Sequence, residues 1–329
     1  MKNFFALLFI TVLFSSCDDG DLTQVSFDFD TSDAQACATG TSDFFIYKIQ
    51  DQRALIIQLP EKSFENKITA DQPSAPLTLA ISSAEVRLLY REYSGDVTSN
   101  TMCSTVPVSS PIVTQEREAT DGTITITTTA LKSAADANGA TQITGYLHTL
   151  TFKNLVFELG DEGTQINEAF TQVTYQTDAE AFTPFSGLTG LKSCANDTSF
   201  LFKYLDKQAL ILDLNDADAS FLFSGAAGPK VRLISADNKL TRVIFNATSS
   251  SLTDAYFCTI PTPTTPAIEE LFTAENGIAD QSGIIEVTSL PSTNGFKHTI
   301  VLKNIRLAKG SLKVDMGAEY IFGEFETMN

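Results

Sequence analysis

Apolar and polar residues alternate along this chain in short runs. Phe44–Ile49, Leu55–Leu59, Val86–Tyr90, Thr123–Thr127 and Tyr146–Leu159 are rich in β-branched and aromatic residues, and Gly, Asn, Asp, Ser and Pro separate them. A period of two places one face of each run toward a core, so the pattern predicts half-buried strands. Ala236-Asp237-Asn238 between KVRLIS and LTRVIF, and Thr120-Asp121-Gly122 before a Thr/Ile alternation, read as hairpin turns. After the first 16 residues no window of eleven or more carries a helical period; only Pro266–Phe272 suits a short helix. Strands with one apolar face pair into layers, and the expected fold is all-β, with antiparallel sandwiches of broadly immunoglobulin-like architecture.

The chain also repeats itself. Cys37–Tyr47 aligns with Cys194–Tyr204, and Ala-Leu-Ile-Ile-Gln-Leu from Ala54 with Ala-Leu-Ile-Leu-Asp-Leu from Ala209. Cys103 and Pro111 recur as Cys258 and Pro266, GYLHTLTFKNL from Gly145 recurs as GFKHTIVLKNI from Gly295, and Phe170–Thr177 matches Tyr320–Thr327. A period near 155 residues is that of whole domains, since solenoid units are far shorter. The expectation is two tandem sandwiches, residues 24–178 and 179–329, joined through Asp178–Leu191. Inside the last repeated strand, the apolar face changes phase at Lys153-Asn154 and again at Lys303-Asn304, as a β-bulge would require.

The start of the chain is different. One Lys precedes an apolar run from Phe4 to Phe14, followed by Ser15, Ser16 and Cys17. The run is shorter than the roughly 20 apolar residues of a membrane-spanning helix and reads as a signal peptide over 1–16. Phe14-Ser15-Ser16-Cys17 resembles the lipobox of bacterial lipoproteins, with Phe14 in place of the usual Leu. That resemblance implies a lipidated Cys17 at the mature terminus. Asp18, Asp19 and Asp21, in a tether over 17–23, resemble the acidic export signal of Bacteroidota lipoproteins. They imply an outer-membrane protein at the cell surface, with the periplasmic face as the alternative.

An exported chain meets oxidising conditions. Cys37 and Cys103 lie 66 residues apart and Cys194 and Cys258 lie 64 apart, at matching places in the two repeats. One disulfide per repeat is therefore expected, leaving the fifth cysteine, Cys17, as the anchor. His148 and His298 are the only histidines and occupy the same repeat position. With the cysteines they would form a Cys₂His zinc set, but no fourth ligand and no Cys-x-x-Cys pairing accompany them. Their strands turn them toward apolar neighbours, so core histidines are expected, and no metal or cofactor.

Charge narrows the function classes. With 40 acids against 22 basic residues the formal charge is −18, which repels nucleic acid. The acids are concentrated in the first repeat: residues 18–178 carry −14 and 179–329 carry −5. No nucleophile elbow, P-loop or dinucleotide motif occurs. Glu269-Glu270 and Asp161-Glu162 are carboxylate pairs, uninformative among so many acids. Asp213–Asp218 lacks the Gly and the full acid spacing of a calcium loop. The sequence therefore predicts a lipid-anchored, non-catalytic binding or structural protein of the cell envelope. The alternatives are a glycan-binding accessory lipoprotein of a nutrient-uptake system, which needs an aromatic patch, and a hydrolase, which needs acids converging in a cleft.

Overall fold

The computed structural model describes residues 27, 29, 33–37, 45–72, 76–81, 85–104, 106, 108–159, 163–170, 172–180, 185, 188–194, 197–226, 228–246, 252–293 and 295–328. The expected signal segment 1–16, Cys17 and the expected acidic tether over 17–23 lie outside the described residues, as do Asp161 and Glu162. What is described is an all-β, sandwich-like fold of antiparallel strands with three short α-helices.

In the first repeat the strands are β1 (Gln35–Ala36), β2 (Phe45–Gln50), β3 (Arg53–Gln58), β4 (Leu77–Ala80), β5 (Arg87–Tyr93), β6 (Val113–Lys132), β7 (Ile143–Glu158), β8 (Thr164–Ala169) and β9 (Val173–Asp178). The second has β10 (Lys192–Ser193), β11 (Phe200–Leu205), β12 (Gln208–Asp213), β13 (Lys230–Leu233), β14 (Lys239–Asn246), β15 (Ala267–Ala274), β16 (Ile284–Ser292), β17 (Gly295–Lys303), β18 (Arg306–Lys309), β19 (Leu312–Asp315) and β20 (Glu319–Met328). The helices are α1 (Ser99–Cys103), α2 (Asp216–Leu222) and α3 (Asp254–Cys258).

Pairing repeats with the sequence. The order β1-β2-β3-β5-β6 in the first copy matches β10-β11-β12-β14-β15 in the second, and β4 on β6 matches β13 on β16. Both copies carry a left-handed Asp between the first hairpin strands, Asp51 at φ 54° and Asp206 at φ 53°. Both also carry a register shift late in the next strand, at Glu92/Tyr93 and Ile244/Phe245. The ladders correct one alignment. Tyr47 faces Ile56 and Phe202 faces Ile211, so Tyr47 corresponds to Phe202, not Tyr204, and Lys48 corresponds to Lys203. Loops of different length after Cys37 and Cys194 shift the match by two, which a period of two hides.

Other local expectations change as well. Thr120–Gly122 is not a hairpin: β6 runs straight through it. Gly122 has φ 132°, and a Cβ there would lie 2.8 Å from Leu155 Cδ2, so a glycine lets the strand bend where β7 presses on it. Ala236–Asn238 joins β13 and β14, which belong to different sheets and do not pair with each other. Ala267–Ala274 is a strand rather than a helix, since β14 offers it a ladder and Phe272 a place in the core. At Asn154 (φ 53°) and Asn304 (φ 49°) the phase change is a left-handed residue. The ladder of β7 with β8 keeps its count on both sides of Asn154, so no extra residue is inserted. In the second copy the chain passes there from β17 in one sheet to β18 in the other. Asn is the non-glycine residue that tolerates this conformation best.

Tertiary contacts divide the chain into two compact units. Unit 1 takes described residues from 1–63, 77–126 and 149–175; unit 2 takes 64–76, 127–148 and 176–329. In unit 2, seven-stranded and four-stranded sheets face each other. Leu210, Leu212, Leu240 and Phe272 of one and Ile285, Val287, Ile300, Leu302 and Phe322 of the other form a single core. The outer face of the larger sheet is covered by α3, where Phe202, Val243, Phe245, Tyr256 and Phe257 cluster. In unit 1, α1 covers Tyr47, Ile56 and Leu89 in the same way through Met102 and Cys103. Five residues are too few to hold a helix in water. Each is tied down by a disulfide instead: Cys37–Cys103 and Cys194–Cys258, both with Cα atoms 5.3 Å apart, the pairing expected from the repeat.

Candidate functional site

The two histidines are the first residues to place, because they are the side chains whose ordinary pKa lies nearest neutrality. Both are in unit 2, and both are fully buried. His148 Nδ1 lies 2.9 Å from Thr128 Oγ1, and Nε2 lies 2.9 Å from Thr177 Oγ1. The neighbours decide the tautomer. Asn66 Nδ2 donates to the Asp178 carbonyl, so Asn66 Oδ1 accepts from the Thr177 hydroxyl at 2.6 Å. With its proton committed, Thr177 accepts from His148 Nε2–H, and Thr128 donates to a bare Nδ1. His298 repeats the arrangement with Ser289 at 2.8 Å and Thr327 at 2.9 Å. Phe64 and Phe223 meet the two rings edge-on at 5.2 Å. Burial pushes both imidazoles down to about 4, helped at His298 by the Lys230 charge. Buried and hydrogen-bonded at both nitrogens, these rings serve the fold.

The zinc reading loses its ligands for the same reason: the four cysteines are disulfide-bonded and both nitrogens of each histidine are engaged. Among the described residues no group of three or more His, Cys, Asp or Glu is placed to hold a metal. Asp213–Asp218 leads into α2. Asn215 Oδ1 caps the helix by accepting from Asp218 N–H, and Asp218 is taken by Asn238 and Arg232, which hold its carboxyl below the usual range.

Unit 2 does contain a cavity of about 230 Å³. One wall is the β6–β7 connection with Asp136 and Gln142, the start of β7 with Ile143 and Tyr146, and Glu180. The opposite wall is the second sandwich, with Arg242 and Glu270 from β14 and β15, Leu307, Val314, Met316 and Tyr320. The β6–β7 turn is locked in place. Asn138 Nδ2 donates to the Glu319 carbonyl at 2.8 Å, Ala318 N–H donates to the Asn138 carbonyl at 2.7 Å, and Thr141 N–H to the Asp315 carbonyl at 2.9 Å.

Charge inside the cavity is organised by a row across the larger sheet. Lys203, Leu210, Arg242 and Phe272 are direct ladder partners and share one face. Lys203 is almost fully buried and its Nζ sits 5.1–5.5 Å from the rings of Tyr320, Phe322 and Phe185, where burial pushes it down to about 8. Arg242, 5% exposed, donates through Nη2 to Gln208 Oε1 at 2.8 Å, and burial lowers it to about 10 against the pull of Glu270 and Glu180. Four carboxylates line the space. Three hold ion pairs: Glu180 with Lys207 at 2.7 Å, Glu270 with Lys309 at 3.0 Å and Asp315 with Arg306 at 2.7 Å. Asp136 accepts from the Asn138 and Ala140 amides.

Two tyrosines complete the lining. Tyr146 is 2% exposed and Tyr320 half-buried; burial pushes both to about 12, with Glu270 adding to the effect at Tyr146. Neither hydroxyl is among the buried side-chain atoms left without a hydrogen bond in the described residues. A second, more polar groove of about 390 Å³ shares Asn138 and Asp315 with this cavity and adds Asn276, Ser282, Asn304 and Arg306. In the sequence, Tyr146 falls on the core face of its strand and Glu270 is one acid among 40. Only the period-two face of Tyr146 was available as a signal, and it does not distinguish a core from a cavity wall. Comparison with protein-family models, curated proteins and solved structures finds no match for this chain.

Proposed function

We propose that this protein is a lipoprotein of the outer membrane, anchored through Cys17 and exposed at the cell surface, and that its folded part works by binding rather than catalysis. The address rests on the lipobox resemblance and the acidic residues behind it. The non-catalytic reading is carried by one observation: the only two histidines are buried, with both ring nitrogens of each held by hydroxyls. A nucleophile would find no general base there. The acids that converge on the cavity are what a hydrolase would need, but three are already ion-paired and the fourth closes a turn. The polar groove beside the cavity favours glycan binding as the second reading, since amides and ion-paired carboxylates offer donors and acceptors to hydroxyls.

The test compares the full chain with its Cys17→Ser variant in a Gram-negative host, using a fatty-acid probe and protease added outside the cell. Labelling and membrane fractionation should be lost in the variant, and the parent should be cleaved at the surface. Retained labelling in the variant refutes the anchor, and turnover of glycoside, ester or peptide substrates by the pure protein refutes the binding role.

A further inference from the structure

The row Lys203, Leu210, Arg242 and Phe272 has a counterpart in unit 1. There the ladder partners on the core-facing side are Lys48, Leu55, Tyr90 and Arg117. The arginine and the aromatic ring have exchanged strands between the two copies. In the second copy Arg242 donates through Nε and Nη2 to Gln208 Oε1, one row further along. In the first copy the place of Gln208 is held by Arg53, a second cation. Arg117 Nε and Nη1 are buried with no hydrogen-bond partner among the described residues. The one other such atom is Gln50 Oε1, the ladder partner of Arg53. Buried polar groups are nearly always matched, and the exceptions in the described part of this protein all fall on two neighbouring rows of one sheet face.

The sign of the missing partner follows from the charges around it. The charged side chains of these two rows are Lys48, Arg53 and Arg117 against Glu92 alone. Even with Lys48 set aside as engaged elsewhere, the balance is positive. Glu92 accepts from the Tyr90 hydroxyl at 2.7 Å. The next acids on β6, Glu116 and Glu118, point to the opposite face and are held there by Arg91 and Arg87, each at 2.6 Å. The acid surplus of this repeat therefore does not neutralise Arg117. The site is also open at one end. Leu55 and Tyr90 are buried, Arg53, Glu92 and Arg117 are partly exposed, and Gln115, opposite Glu92, is exposed. A guanidinium presents its N–H groups in one rigid plane, which suits the oxygens of a carboxylate or a phosphate. Gln50 stands three strand spacings from Arg117, roughly 14 Å, so it would meet only a ligand that extends well beyond its anionic group.

We propose that this face of unit 1 binds an oxyanion, a carboxylate or phosphate group, on the Arg117 guanidinium. The proposal rests on the reading of the protein as a binding module and is independent of where it is anchored.

Sodium acetate, sodium phosphate and tetramethylammonium chloride test it, each titrated at constant ionic strength into the full chain purified in detergent at neutral pH. The readout is the arginine Nε–H NMR spectrum of nitrogen-15-labelled protein, in which the Arg117 signal is identified by its loss in Arg117→Lys. Acetate or phosphate should shift that signal saturably, with a dissociation constant on the order of 1 mM, a reasonable value for so small a ligand. The tighter of the two identifies the group the site prefers, and tetramethylammonium should have no effect. The bound anion should also raise the melting temperature above that in chloride. Arg117→Gln should weaken this stabilisation at least tenfold in anion concentration, and Arg117→Lys, which keeps the charge but not the planar donors, about tenfold. In chloride alone Arg117→Gln should melt no lower than the parent, because the N–H groups it removes have no partner. Arg91→Gln, on the opposite face, should leave acetate and phosphate binding unchanged. No saturable shift with either anion would mean a guanidinium that is merely hydrated, and would overturn the proposal. So would full anion response in Arg117→Gln, or a lower melting temperature or failure to fold of that variant in chloride. None of these results bears on the acylation of Cys17 or on substrate turnover, so a failure here is distinct from failure of the function proposed above.

Discussion

Acidification should weaken unit 2 through its two buried histidines, and the size of the effect follows from their environment. Burial disfavours imidazolium, so the folded pKa of each ring falls from the ordinary 6.5 to about 4. The unfolded chain then takes up protons that the folded chain refuses. The contribution of each ring is complete above about pH 7 and is lost as pH falls through 6.5 toward 4. Between about pH 7.5 and pH 5 the loss is roughly 2 kcal/mol per histidine, approaching about 3 kcal/mol below the folded value. Carboxylates held below their usual range, such as Asp218 and Asp254, lose their contribution only as pH drops through their ordinary value near 3.8, mostly outside this window. The net charge of −18 acts in the opposite direction, because protonation relieves repulsion. The clean measurement is therefore a difference. Urea unfolding of the parent and of His148→Gln is followed at both pH values. Gln can still accept from Thr128 and donate to Thr177 but cannot titrate, so the variant should lose about 2 kcal/mol less on acidification. An identical pH dependence in the two proteins would refute the argument, as would an NMR titration placing either imidazole near 6.5.

Further outcomes follow from the same structure. Cys103→Ser and Cys258→Ser should each cost roughly 2–4 kcal/mol in denaturant unfolding, because each releases a five-residue helix with its loop; no change in either would show that the helices hold without the bonds. Asn154→Gly should be neutral, while Asn154→Val should cost about 1–2 kcal/mol by thermal melting, since a β-branched residue resists a φ of 53°; equal melting of the two variants would contradict the left-handed corner. Asn138→Ala should cost about 1 kcal/mol by removing the side-chain bond to the Glu319 carbonyl, and faster amide exchange should localise to 136–142 and 315–319; exchange spread evenly over the protein would count against a local latch.

Much of this architecture was legible in the sequence because it depends on local, periodic information. Alternating apolar residues fix which face of a strand is buried whatever the strand later pairs with, and the all-β class follows. A duplicated chain carries its own control, so matching cysteines identified the disulfides, and matching histidines in apolar alternation identified core rings. What the sequence could not specify were features set by a distant partner. Gly122 reads as a turn until β7 is seen to press on it. Pro266–Phe272 could coil until β14 offers a ladder. The two-residue slip between Tyr47 and Phe202 leaves side-chain parity untouched and shows only in cross-strand register. The cavity is the extreme case. Tyr146, Arg242, Glu270 and Tyr320 come from four separate strands, and each looks ordinary where it stands. They come to line one space only when unit 2 brings the β6–β7 turn onto the second sandwich, because a cavity wall is a property of three-dimensional neighbours and leaves no period in the chain.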